Sequence, residues 1–137
     1  MYSENKTRCQ TIKNQLQNMT QEDKKLLLID LSARLPYGVK VTNGIHTITL
    51  TPCSDTSIII KNEHILPYLR PMSSMTEDEI KEFYKIENIT PKVGYICPST
   101  DWHFTTNGFD WLNKKMFDYR GLIPLGLAIE VTEDNTI

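Results

Sequence analysis

The apolar residues between positions 20 and 36 recur at helical spacing. Thr20 is followed by polar and acidic residues, as is common at a helix N-cap, because the free N–H groups of the first turn stabilise negative charge. Pro36 disfavours a helical conformation in the residue before it. The pattern therefore predicts an amphipathic helix between these two positions, with an apolar face formed by Leu27, Leu28, Leu31 and Leu35.

After residue 37 the apolar spacing changes toward two, which is typical of β-strands. Short β-branched runs occupy residues 38–41, 45–51, 57–61 and 64–68. The pair Asn43-Gly44 between the first two runs is a preferred sequence for a tight hairpin turn. The four runs predict a small antiparallel β-unit, either an SH3-like barrel or a plain meander.

A second helix signal begins at position 75. Thr76 and Glu79 have the spacing of a capping box, in which each side chain satisfies a free backbone N–H of the first turn. Met75 and Ile80 occupy the two positions of a hydrophobic staple. We therefore expect a helix that begins after Thr76 and fades near Glu87.

Residues 88–107 show no regular period, although residues 93–96 can add a short strand. Asn107 is predicted to cap the last helix, and Gly121 is predicted to be its left-handed C-terminal cap. Residues 127–131 then predict a closing strand. One face of this last helix would be formed by Phe109, Leu112, Met116 and Tyr119.

These elements predict a single α+β domain over residues 20–131, with an N-terminal helix, a small antiparallel β-unit and two C-terminal helices packed on it. The chain of 137 residues is long enough for one hydrophobic core. Residues 1–19 are polar and form either a partly helical or a disordered arm, and residues 132–137 form a tail.

Charge and composition narrow the classes of partner. The net charge of −2 gives no electrostatic reason to expect nucleic acid or an anionic membrane. No apolar run approaches the roughly 20 residues of a membrane span, and the N-terminus lacks the apolar segment of a signal peptide. We expect a cytoplasmic protein in which Cys9, Cys53 and Cys97 are reduced thiols.

Motifs that would indicate catalysis are missing from the sequence. It contains neither a dinucleotide-binding glycine motif nor a Walker phosphate loop. The closest Cys and His pair that could bind zinc is Cys97 with His103, and no second Cys/His cluster accompanies it. His46 and His64 fall in predicted strands, without a nucleophile beside them in sequence. We therefore expect no metal, no cofactor and no catalytic residues.

Two arginines stand in apolar surroundings and need a partner for their charge. Arg70 lies between Tyr68-Leu69 and Pro71-Met72, and Arg120 closes the predicted last helix within the segment Phe117–Gly121. A buried guanidinium needs a carboxylate, carbonyl groups or an anionic ligand. The structural interpretation is that Arg70 or Arg120 pairs with Asp110 or Asp118 and fixes the last helix to the sheet.

The functional alternative is a cleft that holds a small anionic or aromatic ligand, for example a nucleotide signal. Arginine would bind a phosphate, and tyrosine rings would stack on a base. The candidate ligand-binding residues are Tyr68, Arg70, Ser73, Ser74, Tyr119 and Arg120.

Trp102 lies in a predicted loop and has two interpretations. An aromatic side chain at a loop tip can anchor a partner protein. The favoured interpretation is that the loop folds back and covers the core.

Three long segments of the sequence carry a resemblance to a family. They are residues 30–38, 67–77 and 110–130, which read DLSARLPYG, PYLRPMSSMTE and DWLNKKMFDYRGLIPLGLAIE. They resemble segments of small proteins of gut Bacteroidales and their phages. The chain departs from that pattern at residues 131–134, where a tail similar to Ala-Pro-Glu-Gly is expected. The resemblance implies a cytosolic, phage- or mobile-element-associated protein and implies no activity.

The sequence therefore favours a non-enzymatic accessory protein that binds a partner protein, as an interaction module or an inhibitor. Such a protein would use the loop around Trp102 or the edge of the sheet. The alternative is a protein that sequesters an anionic ligand near Arg70 and Arg120, and an enzyme of unknown class comes third. Homodimerisation through a sheet edge or the aromatic helix face is compatible with either binding function.

Overall fold

The computed structural model describes residues 19–53 and 65–132. Three helices, α1, α2 and α3, and four strands, β1 to β4, occur in this part of the chain, which confirms the predicted α+β class. The helices span Gln21–Arg34, Glu77–Glu87 and Thr106–Lys114, and the strands span Val39–Thr42, Thr47–Leu50, Leu66–Leu69 and Ile129–Glu130. Outside the described residues lie the predicted strand 57–61, residues 1–18 of the predicted arm with Cys9, His64, and residues 133–137 of the predicted tail.

Helix α1 begins as predicted, because Thr20 and Asp23 form a reciprocal capping box. Its buried residues are spaced three and four apart and include two charged side chains, namely Leu27, Asp30, Leu31 and Arg34. Leu28, which was expected on the apolar face, is exposed. The face of α1 that packs against the core therefore excludes Leu28 and includes the charged residues Asp30 and Arg34.

The described strands form one sheet in the order β2-β1-β3-β4. β1 is antiparallel to both neighbours, whereas β4 lies parallel to β3. A hairpin joins β1 to β2 as predicted, but its loop spans residues 43–46 and is longer than the tight turn expected of Asn43-Gly44. The Asn43 side chain stabilises this loop by accepting hydrogen bonds from the backbone N–H groups of Ile45 and His46. The closing strand is shorter than predicted and consists of Ile129–Glu130.

Both ends of α2 are fixed by local hydrogen bonds. The Thr76–Glu79 capping box is present as predicted. At the other end Asn88 adopts a left-handed conformation, and Ile89 N–H donates to the Tyr84 carbonyl. These bonds form a Schellman motif, which is usually accompanied by an apolar contact between its ends. The motif directs the chain after α2 back toward Tyr84.

Helix α3 differs from its prediction at both ends. It is capped by Thr105, two residues before Asn107, and it ends at Lys114. Met116 takes the left-handed cap position that was expected of Gly121. The helix stops early because residues 116–118 pair with the backbone of Arg70, whose N–H donates to Met116 O and whose carbonyl accepts from Asp118 N–H.

Two hydrophobic clusters form the interior. The first lies between α1 and the sheet and extends to the segment 122–128. The second is rich in aromatic side chains and joins α2, α3 and the segments that connect them to the sheet. Its buried members are Met72, Met75, Phe83, Tyr84, Trp111, Leu112, Phe117 and Tyr119.

Candidate functional site

Arg70 is paired inside the protein with a residue that the sequence analysis assigned to helix capping alone. Its two terminal nitrogens donate to the Glu79 carboxylate, each at 2.8 Å. The guanidinium also lies over the Phe117 ring, 4.3 Å from its centre. The pairing of Arg70 with Asp110 or Asp118 was therefore wrong. We call the Arg70–Glu79 pair the Arg70 clamp.

Glu79 has three donors around its carboxylate, because Thr76 N–H donates to the same oxygen as Arg70 Nη2. The hydrogen bonds from Arg70 are the main cause that lowers the pKa of Glu79 from 4.5 to about 2. Both side chains are mostly covered, at 28% exposure for Arg70 and 16% for Glu79. The clamp is therefore ionised at neutral pH and leaves Arg70 with few free donors.

Arg120 pairs with Asp30 of α1. Its Nε donates to Asp30 Oδ1 at 3.1 Å. The same carboxylate accepts two hydrogen bonds from Arg34, at 2.8 and 3.0 Å, and both the Asp30 and the Arg34 side chains are 0% exposed. Arg34 Nη2 continues to the Phe117 carbonyl at 2.8 Å. This arrangement joins α1 to the segment that follows α3.

Two further polar side chains extend the same arrangement. Arg120 Nη2 donates to the Tyr119 hydroxyl, which donates to Asn113 Oδ1, both at 2.8 Å. The Tyr119 ring also lies 4.7 Å from the Arg120 guanidinium and 5.3 Å from that of Arg34. We call the set of Asp30, Arg34, Asn113, Tyr119 and Arg120 the buried arginine network.

The two aspartates that were expected to pair with the arginines have other surroundings. The buried Asp118 carboxylate accepts from the N–H groups of Leu122 and Ile123, at 2.8 and 2.9 Å, and so stabilises a turn. Asp110 is exposed on α3 and makes no ion pair with any residue of 19–53 or 65–132. Neither aspartate therefore fixes the last helix to the sheet through arginine.

The remaining candidate ligand-binding residues do not converge on an open cleft. Tyr68 is half-buried in β3, with Lys40 Nζ 4.8 Å from its ring centre. Ser74 is exposed, and its hydroxyl donates to the carbonyl of Pro71. Ser73 is exposed in the same short turn. This geometry favours a structural role for the arginines over the ligand-binding alternative.

The segment after α2 exposes a short apolar surface. Residues 92–96, which we call the apolar loop, are five consecutive exposed residues. Val93 is 94% exposed, Ile96 62% and Tyr95 46%. The strand expected at residues 93–96 is absent. Contiguous exposed apolar side chains mark interaction surfaces more often than isolated ones do.

The apolar loop is held at its base. The Tyr84 hydroxyl donates to the Ile96 carbonyl and accepts from the Ile96 N–H, both at 2.9 Å. The Tyr84 and Tyr95 rings are 5.1 Å apart in an edge-to-face arrangement. The Cys97 thiol donates to the Met72 carbonyl, and burial raises the pKa of this thiol. The base is therefore fixed to the second cluster while Val93 projects outward.

A cleft of about 510 Å³ separates the apolar loop from the outer face of α2. Neither Arg70 nor Arg120 borders it. Its lining combines three largely apolar side chains with charges of both signs, namely Tyr84, Ile89 and Tyr95 together with Asp78, Lys81, Glu82 and Lys85. A cleft of this size falls in the range of small-molecule sites and is large enough to admit side chains of a partner.

Trp102 lies against the core, in line with the favoured interpretation of its loop. It is half-buried, packs on the second cluster, and its ring lies 6.2 Å from the Tyr84 ring. The exposed aromatic side chain of this region is Tyr95, which the sequence analysis did not select. The available signal was the presence of three apolar residues at positions 93, 95 and 96 of an aperiodic segment.

The structure and the comparisons with known proteins add few constraints on chemistry. No group of three metal-ligating side chains occurs within the described ranges. None of the described helices combines the length and the apolar character that crossing a bilayer requires. The chain matches no protein-family model, no curated protein and no solved structure.

Proposed function

We propose that the protein is a non-enzymatic accessory module that binds a partner protein through the apolar loop. The observation that carries this proposal is the combination of a fixed base and an exposed tip. Tyr84 holds both backbone groups of Ile96, whereas Val93 is 94% exposed. A preorganised loop loses little conformational entropy on binding, so more of its contact energy appears as affinity.

The two arginine sites support this proposal indirectly. An anion-binding site needs donors that are free to meet the ligand. The Arg70 clamp and the buried arginine network instead direct their guanidinium groups at protein carboxylates. The alternative of a nucleotide-like ligand near Arg70 and Arg120 would require these ion pairs to open first.

The biological setting that we propose follows from the family resemblance. Its three segments imply a phage- or mobile-element-associated protein of the cytoplasm. A small module that binds a host protein, as an adaptor or an inhibitor, suits this setting. The apolar loop lies outside the three segments.

The direct test places a photo-crosslinking amino acid, p-benzoylphenylalanine, at position 93 and illuminates the protein in a lysate of a Bacteroidales host. We expect a discrete crosslinked protein. The same amino acid at position 45 is the matched control, because Ile45 is also a well-exposed aliphatic residue, at the tip of the β1–β2 hairpin. Equal crosslinking patterns from both positions would contradict the proposal.

A further inference from the structure

We propose that the partner binds the cleft beside the apolar loop with an acidic amphipathic segment. An apolar side chain of that segment enters the cleft, and its carboxylates meet lysines on the loop side of the cleft. This inference rests on the proposed function and specifies the chemistry of the partner. It is drawn from the placement of charge around the cleft.

The charges on the outer face of α2 are separated into two rows. Lys81 and Lys85 are four residues apart and form one row, and Asp78 and Glu82 form the next. Lys81 Nζ lies 5.7 Å from the centre of the Tyr95 ring, so the lysine row is the one that faces the loop. Asp78 and Glu82 line the same cleft from the next row, one step further around the helix from Lys81. The positive charge of Lys81 is therefore the one that lies beside the loop.

The apolar loop carries a third lysine, the exposed Lys92, which immediately precedes Val93 and does not line the cleft. One of the three, Lys81, has an acidic neighbour, Glu77, at 3.6 Å, and both side chains of that pair are well exposed. Exposed pairs of this kind contribute little and exchange readily. A partner carboxylate can replace Glu77 without leaving a buried charge unpaired.

The test uses two fluorescent peptides of about 18 residues, or five helical turns, with the same leucine positions. One carries glutamates at all polar positions and the other carries lysines. Fluorescence anisotropy with the full chain measures both affinities. We expect the glutamate peptide to bind about tenfold or more tightly than the lysine peptide, with a preference that falls as salt is added.

Two double variants of α2 localise the preference. K81E/K85E is expected to reduce affinity for the glutamate peptide about tenfold or more, whereas D78K/E82K leaves it unchanged or increases it. K92E provides a loop variant that leaves the helix intact, and it is expected to weaken binding in the same direction. Circular dichroism confirms that each variant is folded.

Three results would overturn the inference: no binding of the glutamate peptide, equal binding of both peptides, or equal effects of the two double variants. Each of these is distinguishable from failure of the proposed function. Crosslinking at position 93 that yields a discrete partner, together with absence of a charge preference, would retain the binding module and reject its acidic ligand.

Discussion

The buried arginine network and the Arg70 clamp use the same chemistry at different depths. In both, a carboxylate accepts two hydrogen bonds from one arginine. Asp30 and Arg34 are fully enclosed, whereas the residues of the clamp are partly exposed. Removal of one partner leaves a buried charge in the first case and a charge that water can reach in the second. The two sites should therefore differ in their contribution to stability, although neither is open to a ligand.

The largest effect is expected for Asp30→Ala. The substitution removes the carboxylate shared by Arg34 and Arg120 and leaves the enclosed Arg34 without its counter-charge. Breaking a buried pair in this way costs about 3–5 kcal/mol, which is a large part of the stability of a domain this size. Urea denaturation monitored by tryptophan fluorescence measures the change.

The double variant Asp30→Leu with Arg34→Met is the control for that experiment. It removes the buried pair together and is expected to cost less than Asp30→Ala, because no enclosed charge is left unpaired, although the partly exposed Arg120 and the Phe117 carbonyl each lose one hydrogen-bond partner. Equal or smaller destabilisation by Asp30→Ala would show that Arg34 is not enclosed as described.

Acid should weaken the protein through the Arg70 clamp. The pKa of Glu79 is about 2 in the folded protein and 4.5 ordinarily, so the unfolded chain takes up the proton first. The stabilisation is complete above pH 4.5 and is lost as the pH falls toward 2. After allowance for solvent screening, its size is roughly 2 kcal/mol. Urea denaturation across this pH range measures it, and Arg70→Ala is expected to flatten the dependence.

Glu79→Gln separates the two roles of this side chain. Glutamine retains the capping box with Thr76 but cannot form the ion pair with Arg70. We expect a loss of about 2 kcal/mol in the free energy of unfolding, the size of the stabilisation that acid removes. A loss as large as that of Asp30→Ala would contradict the distinction between the clamp and the buried arginine network.

The elements that the sequence predicted well are those whose signals are local. The starts of α1 and α2 depend on Thr20, Thr76 and the residues three positions after them, and both capping boxes are present. The end of α3 depends instead on a distant residue, because the backbone of Arg70 pairs with residues 116–118. The helical spacing of apolar residues carries no information about backbone pairing with a residue that is distant in sequence.

The partners of the arginines were hidden for a similar reason. Asp30 and Arg34 have the spacing of an ordinary exposed helix pair. They also fall at the same spacing as Leu27 and Leu31, but charged residues at such positions are seldom enclosed. In the candidate site, the choice between Tyr95 and Trp102 as the exposed aromatic residue depends on how the loop folds around Tyr84, which no local pattern specifies.

The smallest effect on stability is expected for Val93→Asp in the apolar loop. Val93 is 94% exposed and is separated from the fixed base at Ile96 by exposed residues, so the free energy of unfolding should change by less than about 0.5 kcal/mol. Thermal denaturation checks this. A large loss would show that Val93 is packed in solution and would remove it as a candidate binding residue.

The central claim is that the apolar loop, and not the arginines, makes the functional contact. Quantitative capture of the protein crosslinked at position 93 tests it most directly, with the wild type, Val93→Asp and Arg70→Ala each used as competitor. We expect the folded Arg70→Ala variant to compete as well as the wild type and Val93→Asp to compete about tenfold less or worse. If Arg70→Ala failed to compete while Val93→Asp competed as well as the wild type, the claim would be contradicted. The functional contact would then lie at the arginines.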